Sequence, residues 1–153
     1  MSSAAAFTVW IVDDLSDNLR MVRGSFDLEL LQHLSIVELS SGGAAIAAMQ
    51  RACAKRALPD FVFLDFFLGD MTGADVLEAF QLEYRSADVA HASQPVVIAH
   101  SSERRASEAM VARGADFILP KSNAQRISAP IASAFGSLAA LRWMRSHRRV
   151  FSG

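Results

Sequence analysis

Cysteine is almost missing from this 153-residue chain: Cys53 stands alone, so no internal disulfide can form, and no Cys and His cluster has zinc-ligand spacing. The fold must be held by its own core. Long apolar runs are missing too. No stretch approaches the ~18 uninterrupted apolar residues of a membrane span, and Met1 to Ala6 lacks the basic start and long apolar run of a secretory signal. The expectation is a cytoplasmic protein without membrane contact. Lysine is limited to Lys55 and Lys121, and no acid follows Asp116: all 16 acidic residues and 9 basic ones precede Phe117, and the other 6 basic residues follow it. A net charge of −1 argues against a general nucleic-acid binder. Arg142, Arg145, Arg148 and Arg149 read as a solvated helix end that suits the helix dipole.

Apolar residues are abundant, at 52% against 20% charged, which is enough for one domain with one core and too little chain for two. We take residues 1–153 as a single domain, with its core over about 7–145 and a basic tail over about 142–153. We expect no separate output domain.

Short apolar runs bounded by turn residues alternate with helix-like segments, the pattern of a parallel sheet covered on both faces. The runs are Phe7 to Val12, Ser35 to Leu39, Phe61 to Leu64, Val96 to Ala99 and Phe117 to Leu119. The third is wholly apolar, as a strand buried on both faces should be. Between them, Leu19, Val22, Phe26 and Leu30 recur at spacings of three and four in one helix from about Ser16. An Ala-rich helix runs from about Ala44 to Arg56, a third from Gly73 to about Arg85, and a fourth from Glu103 to Arg113, ended by Gly114. Ser122 to Gln125 has capping-box form, but Pro130 moves the start of the last helix to about Ala129. It continues through Ile131, Phe135, Leu138 and Leu141 toward Arg145.

In an open parallel sheet, ligands collect beyond the carboxyl ends of the strands. There the first strand ends in Asp13 and Asp14, the third in Asp65, and the fourth in His100, Ser101 and Ser102, while Lys121 follows the fifth. Three carboxylates on one rim repel one another unless a cation lies between them. Oxygen-only ligands favour Mg2+, which completes its octahedron with water and phosphate oxygens. Lys121 adds a mobile charge able to pair with Asp65 and then with a phosphoryl oxygen. The plainer readings are an N-cap for Asp13 or Asp14, and a solvated surface lysine for Lys121. Asp65 resists a capping role, because Asp70 or Thr72 could cap the next helix equally well.

This constellation resembles the receiver domains of two-component response regulators, including the stand-alone chemotaxis type. The resemblance rests on Val12-Asp13-Asp14, on Phe61 to Gly73 (FVFLDFFLGDMTG), and on Gly114-Ala115-Asp116 through Lys121, and spans about residues 7 to 145. It implies a three-layer, doubly wound α/β fold: a five-stranded parallel sheet of flavodoxin-like order 2-1-3-4-5. It implies Asp65 as the phosphoacceptor, Asp14 as a direct Mg2+ ligand, Asp13 as its partner acting largely through metal-bound water, and the Phe67 carbonyl as a further ligand. Lys121 would hold the phosphoryl group.

The hydroxyl donor at the end of the fourth strand corresponds to Ser101 if Ser101-Ser102-Glu103 is matched to the usual Thr-Ala-Glu, or to His100 by counting from Pro95. Ser101 is preferred, because a hydroxyl donates without gaining charge. Gly69 stands where a proline is usual, which should loosen that loop. Ser122 replaces the proline after the lysine, Pro120 preceding it instead. The aromatic switch position falls on Ile118, with Phe117 one place early.

The expected protein is a signalling receiver and not a turnover enzyme. A histidine kinase or phosphotransfer protein would be the donor. Self-hydrolysis should be slow to moderate beside the bulky Phe67, and a downstream protein target should be reached by surface contact. Leu138, Leu141, Trp143 and Met144 spread apolar area around the last helix, pointing to a homodimer or partner face or, more simply, to a Trp143 that covers the core. A pseudo-receiver working without phosphorylation is the alternative. An aspartate-nucleophile phosphatase is a third reading, opposed by Phe67 where its second acid would stand.

Overall fold

The computed structural model describes residues 6–24, 26–121 and 138–148. Strands β1 (Phe7–Val12), β2 (Leu34–Leu39), β3 (Phe61–Leu64), β4 (Val96–Ala99) and β5 (Phe117–Ile118) form one parallel sheet in the order β2-β1-β3-β4-β5. Side chains alternate between its faces. On one face Trp10, Val12, Val62, Leu64, Val97 and Ala99 pack in a single cluster. They meet Ala45 and Met49 of α3 (Gly42–Lys55), Leu77, Phe80 and Tyr84 of α4 (Gly73–Ser86), and Met110 of α5 (Arg104–Ala112). On the other face lie Val9, Ile11, Phe61, Phe63, Val96 and Ile98. These pack against Leu19 and Val22 of α1 (Ser16–Gly24), Phe26, Leu30 of α2 (Leu28–Leu31), and Leu141 and Met144 of α6 (Leu138–Ser146). β3 and β4 are apolar at every position because helices cover them on both sides.

Most element positions follow the sequence pattern, and the differences have local causes. The single helix expected through Leu30 is two, since α1 ends at Gly24 and α2 starts after Asp27; Phe26 and Leu30 still reach the core. α3 begins two residues earlier than expected, because the Ser41 hydroxyl accepts the Ala44 N–H at 3.0 Å and supplies the cap. A 3-10 turn at His91–Ser93 was not legible in the pattern. Leu119 lies past β5, although its N–H still donates to the Ala99 carbonyl at 2.8 Å. Ser122 to Gln125, Ala129, Pro130, Ile131, Phe135 and Arg149 lie outside the described residues.

The solvated-end reading of the arginines is corrected for two of them. Arg145 pairs with Asp60 at 3.1 Å beside the start of β3. Arg148 donates to the carbonyls of Gln94 and Pro95 at 2.6 and 3.0 Å and lies 3.6 Å from Asp116. Asp116 in turn accepts the Val97 N–H at 2.9 Å, so α6 is clamped to the amino ends of the strands. Long arginine side chains reach such buried acceptors where a short basic residue would not. Among the described residues, no helix is long and apolar enough to cross a membrane.

Parallel register brings the carboxyl ends level, with Val12 beside Leu64 and Leu64 beside Ala99. The next residue on each strand adds one more rung: the N–H groups of Asp13, Asp65 and His100 donate to the carbonyls of Leu39, Val12 and Leu64 at 3.1, 3.0 and 2.9 Å. Behind this row α4 starts at Gly73, whose N–H donates to the Phe66 carbonyl at 2.7 Å. A Cβ at Gly73 would overlap the Asp65 carbonyl oxygen and lie 2.7 Å from Met110 Sδ. Gly73→Ala should therefore cost about 1–3 kcal/mol as an overpacked contact. Chemical denaturation checks this, and an unchanged midpoint would mean that the backbone yields there freely.

Candidate functional site

Alternation carries one step past the strands and sets three polar side chains on the α1 and α6 face: Asp13, Asp65 and His100, following Val12, Leu64 and Ala99 of the opposite cluster. Asp13 and Asp65 are buried, and Asp14 is exposed beside them. One carboxylate oxygen from each of Asp13, Asp14 and Asp65 lies within 4.8 Å of the other two. The predicted convergence of the three acids is thus present.

Lys121 arrives from the far side of β5, its N–H donating to the Ser101 carbonyl at 3.0 Å. Its Nζ donates to Asp13 Oδ2 at 2.6 Å and lies 3.4 Å from Asp65 Oδ1, with only 9% of the side chain exposed. It is no solvated surface lysine. The pairing differs from the expectation in one respect, because the shorter contact is to Asp13 rather than Asp65. The other Asp13 oxygen accepts the Leu15 N–H at 3.0 Å and the Asn18 side-chain amide at 3.3 Å, a turn that leads into α1 without capping its backbone N–H groups, while the second oxygen faces the lysine. Asn18 is a positioning group that no spacing in the sequence singled out.

Asp65 accepts its neighbour's N–H, from Phe66, at 2.8 Å. Burial pushes its carboxyl up to about 6; the Asp13 charge adds to this, while Lys121 and the Phe66 N–H act the other way. Three acids facing one ammonium leave a negative hollow with oxygen donors only, a set that suits a hard divalent cation.

The loop after Asp65 is not loose. Gly69, at φ +79°, occupies the left-handed region that proline cannot enter, in a tight turn where Leu68 N–H donates to the Met71 carbonyl at 3.2 Å. Asp70 accepts the N–H groups of Gly42 and Gly43 at 3.0 and 2.9 Å, tying the loop to the start of α3, and these bonds hold its carboxyl below the usual range. Thr72 and Asp75 form the capping box of α4. Capping is therefore supplied without Asp65, as the sequence suggested. Phe67 stands about half exposed on this loop, its ring edge against Phe66.

The preference for Ser101 is corrected by strand geometry. The Lys121 N–H bond to the Ser101 carbonyl, following the Leu119 N–H bond to the Ala99 carbonyl, keeps the ladder regular. Ser101 therefore falls on the Ala99 face, opposite Asp65, where its hydroxyl accepts the Glu103 N–H at 3.3 Å ahead of α5. His100 is the residue beside Asp65. It is 2% exposed, its Nδ1 lies 2.8 Å from the Leu119 carbonyl, and burial pulls its imidazole down to about 4.

No family model matches this sequence, and no curated protein matches it. Solved structures do match. The receiver domain of the histidine kinase CKI1 from Arabidopsis thaliana, complexed with Mg2+ and BeF3−, superposes with a TM-score of 0.66 at 18% identity, over 84% of this chain and 89% of that one. The response regulator domain of Thermotoga maritima CheB gives 0.66 at 15% identity, over 94% and 99%. The CheX-CheY-BeF3−-Mg2+ complex from Borrelia burgdorferi gives 0.59 at 18% identity, over 86% and 90%. By strand order and layers the chain is a doubly wound, flavodoxin-like α/β protein. More narrowly, its fold is that of the receiver domains of response regulators.

Because Asp65 loses its proton near 3.8 when unfolded and near 6 when folded, its charge opposes folding above that window. Native stability from this group falls as pH rises from about 4 to about 6. With chelator present, Asp65→Asn should raise the melting temperature by a few degrees at pH 7.5, and the advantage should vanish below pH 4. Thermal melts at both pH values test this, and a lower melting temperature for the variant at pH 7.5 would contradict it.

Proposed function

We propose that the chain is a response-regulator receiver that accepts a phosphoryl group on Asp65 from a phosphohistidine donor and signals by protein contact. The observation that carries this reading is Lys121 Nζ seated at 2.6 and 3.4 Å between two buried carboxylates, with the exposed Asp14 completing an oxygen hollow. Burying a lysine with two acids costs stability, and such clusters of perturbed charges concentrate at functional sites.

Asp13, Asp14 and Asp65, with the Phe67 carbonyl, would hold Mg2+, which when bound supplies positive charge to the acids and to phosphoryl oxygens. The chain's own part begins with Asp65. Its carboxylate oxygen forms a bond to phosphorus as the bond from phosphorus to the donor nitrogen breaks, and the imidazole leaves. Lys121 already touches Asp65, so a small movement brings its ammonium onto a phosphoryl oxygen while Asp13 keeps its amide and backbone donors. Water later attacks phosphorus and releases phosphate. Phe67, apolar and two residues from the acceptor, obstructs that approach and keeps hydrolysis slow.

Output would pass through the surface formed by α5, β5 and α6. A hollow of about 630 Å³ there is lined by Glu108, Val111, Asp116, Phe117, Ile118 and His147. Trp143 is 55% exposed and stacks on His147 at 4.4 Å, so it does not simply cover the core and is available to a downstream protein or a second copy.

Treatment with acetyl phosphate and Mg2+ should add the mass of one phosphoryl group in intact-mass spectra, and the gain should be abolished by Asp65→Asn and by EDTA. A gain that survives in Asp65→Asn, or none in the unaltered protein under conditions that saturate Mg2+ binding, would overturn the assignment and favour a pseudo-receiver.

A further inference from the structure

We propose that His100 senses the phosphoryl group: its imidazole gives up a hydrogen bond to the Leu119 carbonyl and donates the same N–H to a phosphoryl oxygen on Asp65. The inference rests on the phosphoacceptor reading above and concerns how that site is read out.

His100 adjoins Asp65 on the next strand, one rung past the pair Leu64 and Ala99 and on the same face, at a strand spacing of about 4.8 Å. Burial keeps the ring neutral at pH 7, so it carries one proton. The Leu119 carbonyl, 2.8 Å from Nδ1, can only accept, which assigns that proton to Nδ1. Nε2 is left as a lone pair, buried and without a hydrogen-bond partner among the described residues. An acceptor stranded in this way is a source of instability in the resting state.

A phosphoryl group on Asp65, one strand away on the same face, would bring anionic oxygens toward a ring whose only N–H is committed to Leu119. The strand-four hydroxyl that would otherwise donate belongs to Ser101, which lies on the opposite face and is engaged with Glu103. Turning the ring so that its single N–H meets a phosphoryl oxygen adds a donor beside Lys121. It also frees the Leu119 carbonyl, which directly follows Phe117 and Ile118 of β5 in the groove near Trp143. One residue would then serve both as the phosphoryl donor and as the link to β5, where Ile118 offers no aromatic ring to move.

The test uses the full chain labelled with 15N and 13C, in Mg2+, before and after addition of BeF3−, with the His100 imidazole assigned by its loss in His100→Phe. Before addition, Nδ1 should be protonated and Nε2 bare. Afterward, the Leu119 carbonyl shift should show loss of its donor and the His100 N–H should move. An unchanged Nδ1–H bond to Leu119, or a proton gained on Nε2 with that bond kept, overturns the proposal. BeF3− affinity supplies a second measurement. His100→Phe, which fills the space without a donor, should weaken binding by about tenfold to a hundredfold, and His100→Thr should recover most of the loss. A purely packing role would give the reverse order and sink the idea. If the unaltered protein binds Mg2+ but not BeF3−, the phosphoacceptor reading itself fails; if it binds BeF3− while His100 stays as it was, only this inference fails.

Discussion

Asp13 and Asp65 are withdrawn from water at the ends of adjacent strands, and the ammonium group of Lys121 lies between them at 2.6 and 3.4 Å. The site depends on that charge balance. Without the lysine, two buried carboxylates would stand side by side on adjacent strands that can neither move them apart nor hydrate them. With it, the balance is still incomplete, because Asp14 adds a third negative group at the mouth. The hollow is therefore stable enough to form and has the oxygen donors to suit a divalent cation, and burial keeps the Asp65 carboxyl near 6.

The loop around this group is held by elements that carry none of its charges. The Gly73 N–H bond to Phe66 and the Asp70 carboxylate on the first N–H groups of α3 hold the loop that follows Asp65. At the other end of the sheet, Arg145 on Asp60 and Arg148 on Asp116, Gln94 and Pro95 fasten α6 across the strand starts. The two ends of the strands thus have different duties. The amino ends are stitched by half-buried arginines, whereas the carboxyl ends carry the cluster of Asp13, Asp14, Asp65 and Lys121.

The layered parallel sheet was legible because short apolar runs bounded by turn residues alternate with period-three-to-four helical faces along the chain, and because Phe61 to Leu64 and Val96 to Ala99 carry no polar residue at all. The acids were legible for a related reason: Asp13 and Asp65 each follow an apolar run directly, so a parallel sheet built from those runs sets them on one rim. The lysine stood out only through scarcity and its position after the fifth strand.

Other features depend on which way a side chain points and on what lies across space, and these were settled only in three dimensions. Ser101 and His100 are neighbours in the chain, and chemistry alone prefers the hydroxyl; the ladder parity through Ala99 and Ser101 turns it away and sets the imidazole beside Asp65. Gly69 suggested a slack loop, yet the partners that tighten it, Gly42 and Gly43, lie 28 and 27 residues from Asp70. Arg148 finds acceptors more than 50 residues away, which no local pattern encodes. Periodicity reports how each residue relates to its own element, so the strands, the helices and the rim position of the acids could be read from it, whereas the strand order was implied by the family resemblance. Pairings between elements depend on register and packing, and those exist only once the chain has folded.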